Sequence, residues 1–151
     1  MFVFHWELYL RLVIALLFGF FVGLERARRG KTAGIRTHSL VALGSALVMV
    51  ISSAQPNGPN KDMMRLAAQV VSGIGFLGAG VIWMDRQNVK RGLTTAANLW
   101  VTAAAGLAIG YGMYGVMLVT AFLIYVAVNS HDWAVRFNLI PKEAQKESDE
   151  S

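Results

Sequence analysis

The stretch GIGFLGAG, from Gly73 to Gly80, carries glycines at Gly73, Gly75 and Gly78 with the GxGxxG spacing of a dinucleotide-binding turn. That turn works between a strand and a helix, where backbone N–H groups meet a pyrophosphate and an acidic residue follows about 20 positions on. Here the glycines sit inside one apolar run from about Leu66 to Met84, and Asn98 stands where the acid would be. A nucleotide site is therefore not expected. Cysteine is absent, which excludes disulfides, thiolate metal sites and a Cys nucleophile. His5, His38 and His131 lack ligand spacing, and His38, at the edge of an apolar run, reads as a hydrogen-bonded structural residue. Ser39, Ser45, Ser52, Ser53 and Ser72 have no neighbouring His and carboxylate to form a triad. Mg²⁺ demands hard oxygen ligands, yet Glu7, Glu25, Asp62, Asp85 and Asp132 form no pair at helical spacing within an apolar run. No metal site, no cofactor and no enzymatic activity are expected.

The elements that position these residues follow from composition. With 55% hydrophobic and 15% charged residues and a mean hydropathy of +0.47, the chain is too apolar for a soluble domain of its length. Charged residues fall in short clusters between long neutral runs, the pattern of membrane-spanning helices. The fold class expected is an all-α integral membrane bundle of about five spans, with four as the alternative. The spans run from about Leu8 to Leu24, Thr37 to Ala54, Leu66 to Met84, Leu93 to Ile109 and Met113 to Asn129. The last two form a hairpin that breaks at GYGMYG. The residues before the first span carry no positive charge and no small-residue cleavage pattern follows it, so it is expected to remain uncleaved. SHDWAVRFNLI places Trp133, Phe137 and Ile140 on one helical face, as an interfacial helix or an extension of the fifth span. Residues 1–140 form the membrane domain, and 141–151, PKEAQKESDES, a disordered polar tail.

Lysine and arginine set the orientation. Arg26, Arg28, Arg29, Lys31 and Arg36, then Arg86, Lys90 and Arg91, then Arg136, Lys142 and Lys146 all fall on one side, against Arg11, Lys61 and Arg65 on the other. The positive-inside rule puts the N-terminus outside and the C-terminus in the cytoplasm. The net charge of +5 is accounted for by topology and anionic lipid, and no nucleic-acid-reading motif is present.

Inside a membrane, helices associate by close packing, which small residues four apart permit. The third span offers Ala68 with Ser72 and Gly75 with Ala79, and the second Ala42 with Ala46. The cluster Gly73, Gly75, Gly78 and Gly80 exceeds what one seam requires, because each glycine costs about 1 kcal/mol of helix propensity. It reads either as a central helix packed on all sides or as a broken helix exposing carbonyls to an ion or substrate. Glu25 opposes the negative C-terminal dipole of its own helix and should pair with Arg36 or Lys31. Gln69 and the group Thr94, Thr95 and Asn98 can hydrogen-bond between helices.

GLER (Gly23 to Arg26), AGIRTHSLVALGS (Ala33 to Ser45), RLAAQVVSGIGFLGAGVI (Arg65 to Ile82) and GLTTAANLW (Gly92 to Trp100) together closely resemble the MgtC/SapB family of bacterial inner-membrane proteins. The resemblance covers most of residues 8 to 129 in the right order. It implies a five-helix, multi-pass inner-membrane domain with a cytoplasmic C-terminus and a link to magnesium homeostasis, growth at low Mg²⁺ and, in some pathogens, survival in host cells. The residues it marks, with roles unassigned, are Glu25, Arg26, Gly34, Arg36, Thr37, Arg65, Gln69, Gly73, Gly75, Gly78, Gly80, Gly92, Thr95 and Asn98. The best-known members carry a further cytoplasmic domain, whereas this chain ends at Ser151, which puts any function of that domain in doubt. Two readings stand. One is a regulator that docks other membrane proteins, or a second copy, through small-residue faces of the third and fourth spans. The other is a small oligomeric transporter or channel for Mg²⁺ or another cation, with Glu25 and Arg36 at its cytoplasmic mouth. Spans without a central charge favour the first.

Overall fold

The computed structural model describes residues 6–54, 62–86 and 88–137. Five helices follow one another: α1 (Trp6–Arg28), α2 (Ile35–Ser53), α3 (Met63–Val81), α4 (Leu93–Tyr111) and α5 (Tyr114–Arg136). A two-residue antiparallel ribbon, β1 (Trp83–Met84) with β2 (Lys90–Arg91), joins α3 to α4. α1 to α4 are each long and apolar enough to cross a membrane, and the apolar part of α5, Tyr114–Ser130, is shorter. This is the all-α membrane bundle expected from hydropathy. The predicted tail, 141–151, lies outside the described residues, as does Ile140.

The helix ends follow local chemistry. Asp62 caps α3, its carboxylate accepting from the N–H groups of Met64 and Arg65. α4 stops at Gly112, whose φ of 96° lies in the left-handed region. There the Gly112 N–H reaches Ile109 O and the Met113 N–H reaches Ala108 O, closing a Schellman turn. The break expected in GYGMYG is thus two residues wide, Gly112 and Met113, and SHDWAVR continues α5 rather than forming a separate helix.

Packing centres on α2. A Cβ at Gly23 of α1 would lie 2.5 Å from Ile35 Cα, and one at Gly19 would lie 2.7 Å from Ser39 Cα. On the other flank, a Cβ at Gly106 of α4 would lie 2.5 Å from Ala42 O, and one at Gly110 would lie 2.9 Å from Ala46 Cα. α2 is therefore gripped between two glycine seams of four-residue spacing, antiparallel to α1 and parallel to α4. Ala15, Phe18, Ala42, Ala46, Ala105 and Ile109 form the buried core along these seams. The Ala42 and Ala46 pair singled out from sequence lies in the second of them.

The glycine-rich α3 corrects both readings of its sequence. It is an unbroken helix, so it exposes no carbonyls, and it packs by one face, so it is not central. Gly78 faces Ala96 Cβ at 3.6 Å, whereas a Cβ at Gly73, Gly75 or Gly80 would meet nothing within 4 Å. Ser52 Oγ donates to Met63 O at 2.7 Å and ties the start of α3 to the end of α2. Large apolar side chains such as Phe76, Leu40, Leu118 and Phe122 cover the outside, as a hydrocarbon solvent requires.

Candidate functional site

Alternating helix directions gather the C-termini of α1, α3 and α5 and the N-termini of α2 and α4 at one end of the bundle, here the basic end. A polar cluster is buried there. Arg26 is 2% exposed, and its Nη2 donates to Thr95 Oγ1 at 2.9 Å, linking α1 to α4. His38 is fully buried, with Nδ1 3.0 Å from Gly34 O. A carbonyl only accepts, so Nδ1 carries the proton and Nε2 a lone pair. The His38 ring lies near Arg26 and Asn98. Three buried atoms of this cluster have no hydrogen-bond partner: Arg26 Nε, His38 Nε2 and Asn98 Oδ1. The His38 ring and the Asn98 amide are close enough to serve each other, which leaves Arg26 Nε as the atom for which the described residues offer no acceptor.

Next to the cluster, Glu25 Oε1 accepts from Arg29 Nε at 2.7 Å. Arg29 Nη2 donates to Asn129 Oδ1 at 2.6 Å, and Asn129 Nδ2 donates to Tyr125 O at 2.7 Å, so this chain of contacts reaches α5. Above it a cleft of about 400 Å³ opens between α1 and α5 over α4. Its polar end holds Glu25, Arg26, Asn98 and Asn129, and its walls are apolar, from Phe21 and Ile124 to Ile14 and Met117.

The chain matches the MgtC family over residues 12–137. It is 48% identical over 114 residues to YhiD of Escherichia coli (strain K12), described as a candidate magnesium transporter, covering 72% of this chain and 53% of that protein. To protein MgtC of Salmonella typhimurium (strain LT2) it is 43% identical over 140 residues, 91% of this chain and 58% of the relative. To protein SapB of Bacillus subtilis (strain 168) it is 38% identical over 136 residues, 86% and 59%. The chain belongs to the MgtC family. It spans just over half the length of these curated relatives. No solved structure matches it significantly. Family membership and helices of spanning length together make it a multi-pass bacterial membrane protein.

The residues that the MgtC/SapB motifs marked fall into two places. Glu25, Arg26, Gly34, Thr95 and Asn98 meet at the basic end, as described. Gly92, immediately before α4, has a φ of 87°, and a Cβ there would run into the Val81 carbonyl, so it fixes how the ribbon hands over to α4. Arg65, Gln69, Gly73, Gly75 and Gly80 are exposed on α3, away from the cluster, and Gly78 is the buried exception. Arg36 is exposed and Thr37 half-buried. The expected pairing of Glu25 with Arg36 or Lys31 is corrected: Glu25 takes Arg29, four residues on and just past the end of α1, so the pair forms without crossing between helices. His38 is the hydrogen-bonded structural residue the sequence suggested. Among the described residues, no three His, Asp or Glu side chains converge.

Sequence reasoning missed Arg29, Asn129 and the seams of Gly19, Gly23, Gly106 and Gly110. The spacing of each glycine pair was a usable signal. It also placed Arg11 only as a cation of the less basic side. Arg11 Nη1 donates to Gly110 O at 3.0 Å, and its guanidinium lies over Gly112, capping the C-terminal carbonyls of α4. The segment DRQNVKRG is more than a spacer: Asp85 accepts from the Val89 N–H at 3.0 Å and from Arg91 Nε at 2.9 Å, fixing the ribbon.

Proposed function

We propose that this chain is a non-enzymatic bacterial inner-membrane protein linked to magnesium homeostasis, which regulates other membrane proteins by docking their transmembrane helices. The observation that carries this is the outward side of α3, where Gly73 and Gly80, seven residues apart and so on one face, meet nothing within 4 Å, as does Gly75 on the flank beyond the buried seam. Each of these glycines weakens the helix by about 1 kcal/mol relative to alanine. The Gly73 and Gly80 pair makes sense where a second helix approaches closely, since small residues allow backbone contact in lipid. The magnesium link is supported by the name of YhiD and by the resemblance of the four motifs to the MgtC/SapB family. In the membrane the basic end faces the cytoplasm, following the positive-inside rule.

The same geometry speaks against passage of a cation through the bundle. The buried polar cluster presents the guanidinium of Arg26, which repels Mg²⁺ at the place where a route would need oxygen ligands. The test is a photo-crosslinking residue at position 80, on the same face as Gly73, with Mg²⁺ flux into liposomes of the purified protein measured alongside. A discrete crosslinked protein, lost when a neighbouring Gly73→Leu is added, is the expected result, and its mass distinguishes a different protein from a second copy. Mg²⁺ flux that both Glu25→Gln and Gly75→Leu reduce would overturn docking in favour of transport.

A further inference from the structure

The geometry points to a lipid site: the cleft between α1 and α5 takes one acyl chain of an anionic phospholipid, with its phosphate against Arg26 and Asn98. This rests on the cleft and its buried end, and is independent of the α3 face. Arg26 is a cation with 2% exposure whose side chain, among the described residues, finds only a neutral hydroxyl as hydrogen-bond partner, and its Nε is unpaired. A buried charge without a counter-charge is costly, and an arginine fork is suited to phosphate oxygens. Asn98 lines the same cleft, is 5% exposed, and its amide lies between the His38 ring and the cleft. Its amide can turn either its oxygen or its NH₂ toward a ligand. Glu25 and Arg26 are the charged residues lining the cleft, and with Glu25 engaged by Arg29 the Arg26 charge is left in surplus there. That matches an anionic head.

Length chooses between a lipid chain and a foreign helix. From Ile14 to Arg26 along α1 the cleft wall rises about 18 Å, at 1.5 Å per residue. Half of the ~30 Å hydrocarbon core is about 15 Å, one leaflet. A transmembrane helix would need a groove along the full thickness. The cleft volume of about 400 Å³ is within the roughly 300–1,000 Å³ of small-molecule sites. Apolar walls with four polar side chains at one end are the inverse of a phospholipid: chain along Ile14, Leu17, Phe21 and Ile124, head at Arg26 and Asn98.

The test is native mass spectrometry of the full chain released from detergent with added phosphatidylglycerol, with phosphatidylcholine of the same acyl composition, or with inorganic phosphate alone. The expected result is about tenfold stronger retention of phosphatidylglycerol than of phosphatidylcholine, the scale of one hydrogen bond to a charged group. Arg26→Gln should erase that preference. Ala121→Trp, which fills the apolar wall and leaves every head residue in place, should lower retention of both lipids. Equal retention of the two lipids by the unaltered protein overturns the assignment without recourse to any variant. Inorganic phosphate binding as tightly as phosphatidylglycerol would also overturn it, since the chain would then contribute nothing.

Discussion

Replacing Gly106 by alanine, and separately Gly75 by alanine, tests the packing with the same chemical change at two places. At Gly106 the added methyl meets Ala42 O at 2.5 Å, Ser45 Cβ at 2.9 Å and Ala42 C at 3.1 Å, mostly backbone that cannot rotate away. Ordinary carbon contacts lie at about 3.5–4.0 Å, so α4 must back away from α2 by about 1 Å. Overpacking of this kind costs about 1–3 kcal/mol, and rigid backbone puts it near the upper end. The gain in helix propensity returns about 1 kcal/mol, leaving a net loss of about 2. At Gly75 the same gain meets no opposing contact, and the variant should be stabilised by about 1 kcal/mol. The two therefore differ by about 3 kcal/mol, or about 6–12 °C in Tm at about 2–4 °C per kcal/mol for a chain of this size. The assay is thermal unfolding followed by far-UV circular dichroism in a mild detergent at low protein concentration. If Gly75→Ala lowers Tm as much as Gly106→Ala, the isolated chain already packs α3 on its glycine face, and the distinction between seam and outward glycines is wrong.

Other changes follow the same logic. Thr95→Val removes the hydroxyl that accepts from the Arg26 side chain and should cost about 1–3 kcal/mol, whereas Thr94→Val, at an exposed position, should be near neutral; equal effects would mean that Arg26 finds another acceptor. Ser52→Ala should cost about 1 kcal/mol and raise hydrogen exchange in the first turn of α3, which loses its tie to α2. Asp85→Ala removes the acceptor of Val89 N–H and of Arg91 and should make the ribbon around Trp83–Arg91 the first site of limited proteolysis; an unchanged cleavage pattern would show that α3 and α4 alone hold it.

The spans were legible because hydrocarbon selects long apolar helices whatever their packing, and all five begin within about three residues of the expected position. α3 was placed about three residues late because Trp83 and Met84 are apolar yet belong to the ribbon, while the cap at Asp62 sets the true start. The clustered glycines of α3 drew attention because they are dense, but the seams are made by Gly19, Gly23, Gly106 and Gly110, which are sparse and correctly spaced. Density reflects local helix cost, whereas spacing decides which side of a helix a neighbour can approach. The pair Glu25 and Arg29 was open to the four-residue rule and was passed over for a partner across the loop. The contribution of Asn129 could not be read, because nothing in one sequence says that α5 returns beside α1.

The two arginines of α1 have consequences for biogenesis. Arg11 finds its acceptor at Gly110, 99 residues later in the chain, and Arg26 finds one at Thr95, 69 residues later. At about 5–20 residues per second, α1 leaves the ribosome several seconds before α4 can accept either guanidinium. During that interval both side chains must reach toward opposite membrane surfaces for solvation, which holds the young helix upright with its ends pinned. The arrival of α4 then releases both ends at once, so the helix that completes the core also ends the dependence of α1 on interfacial water.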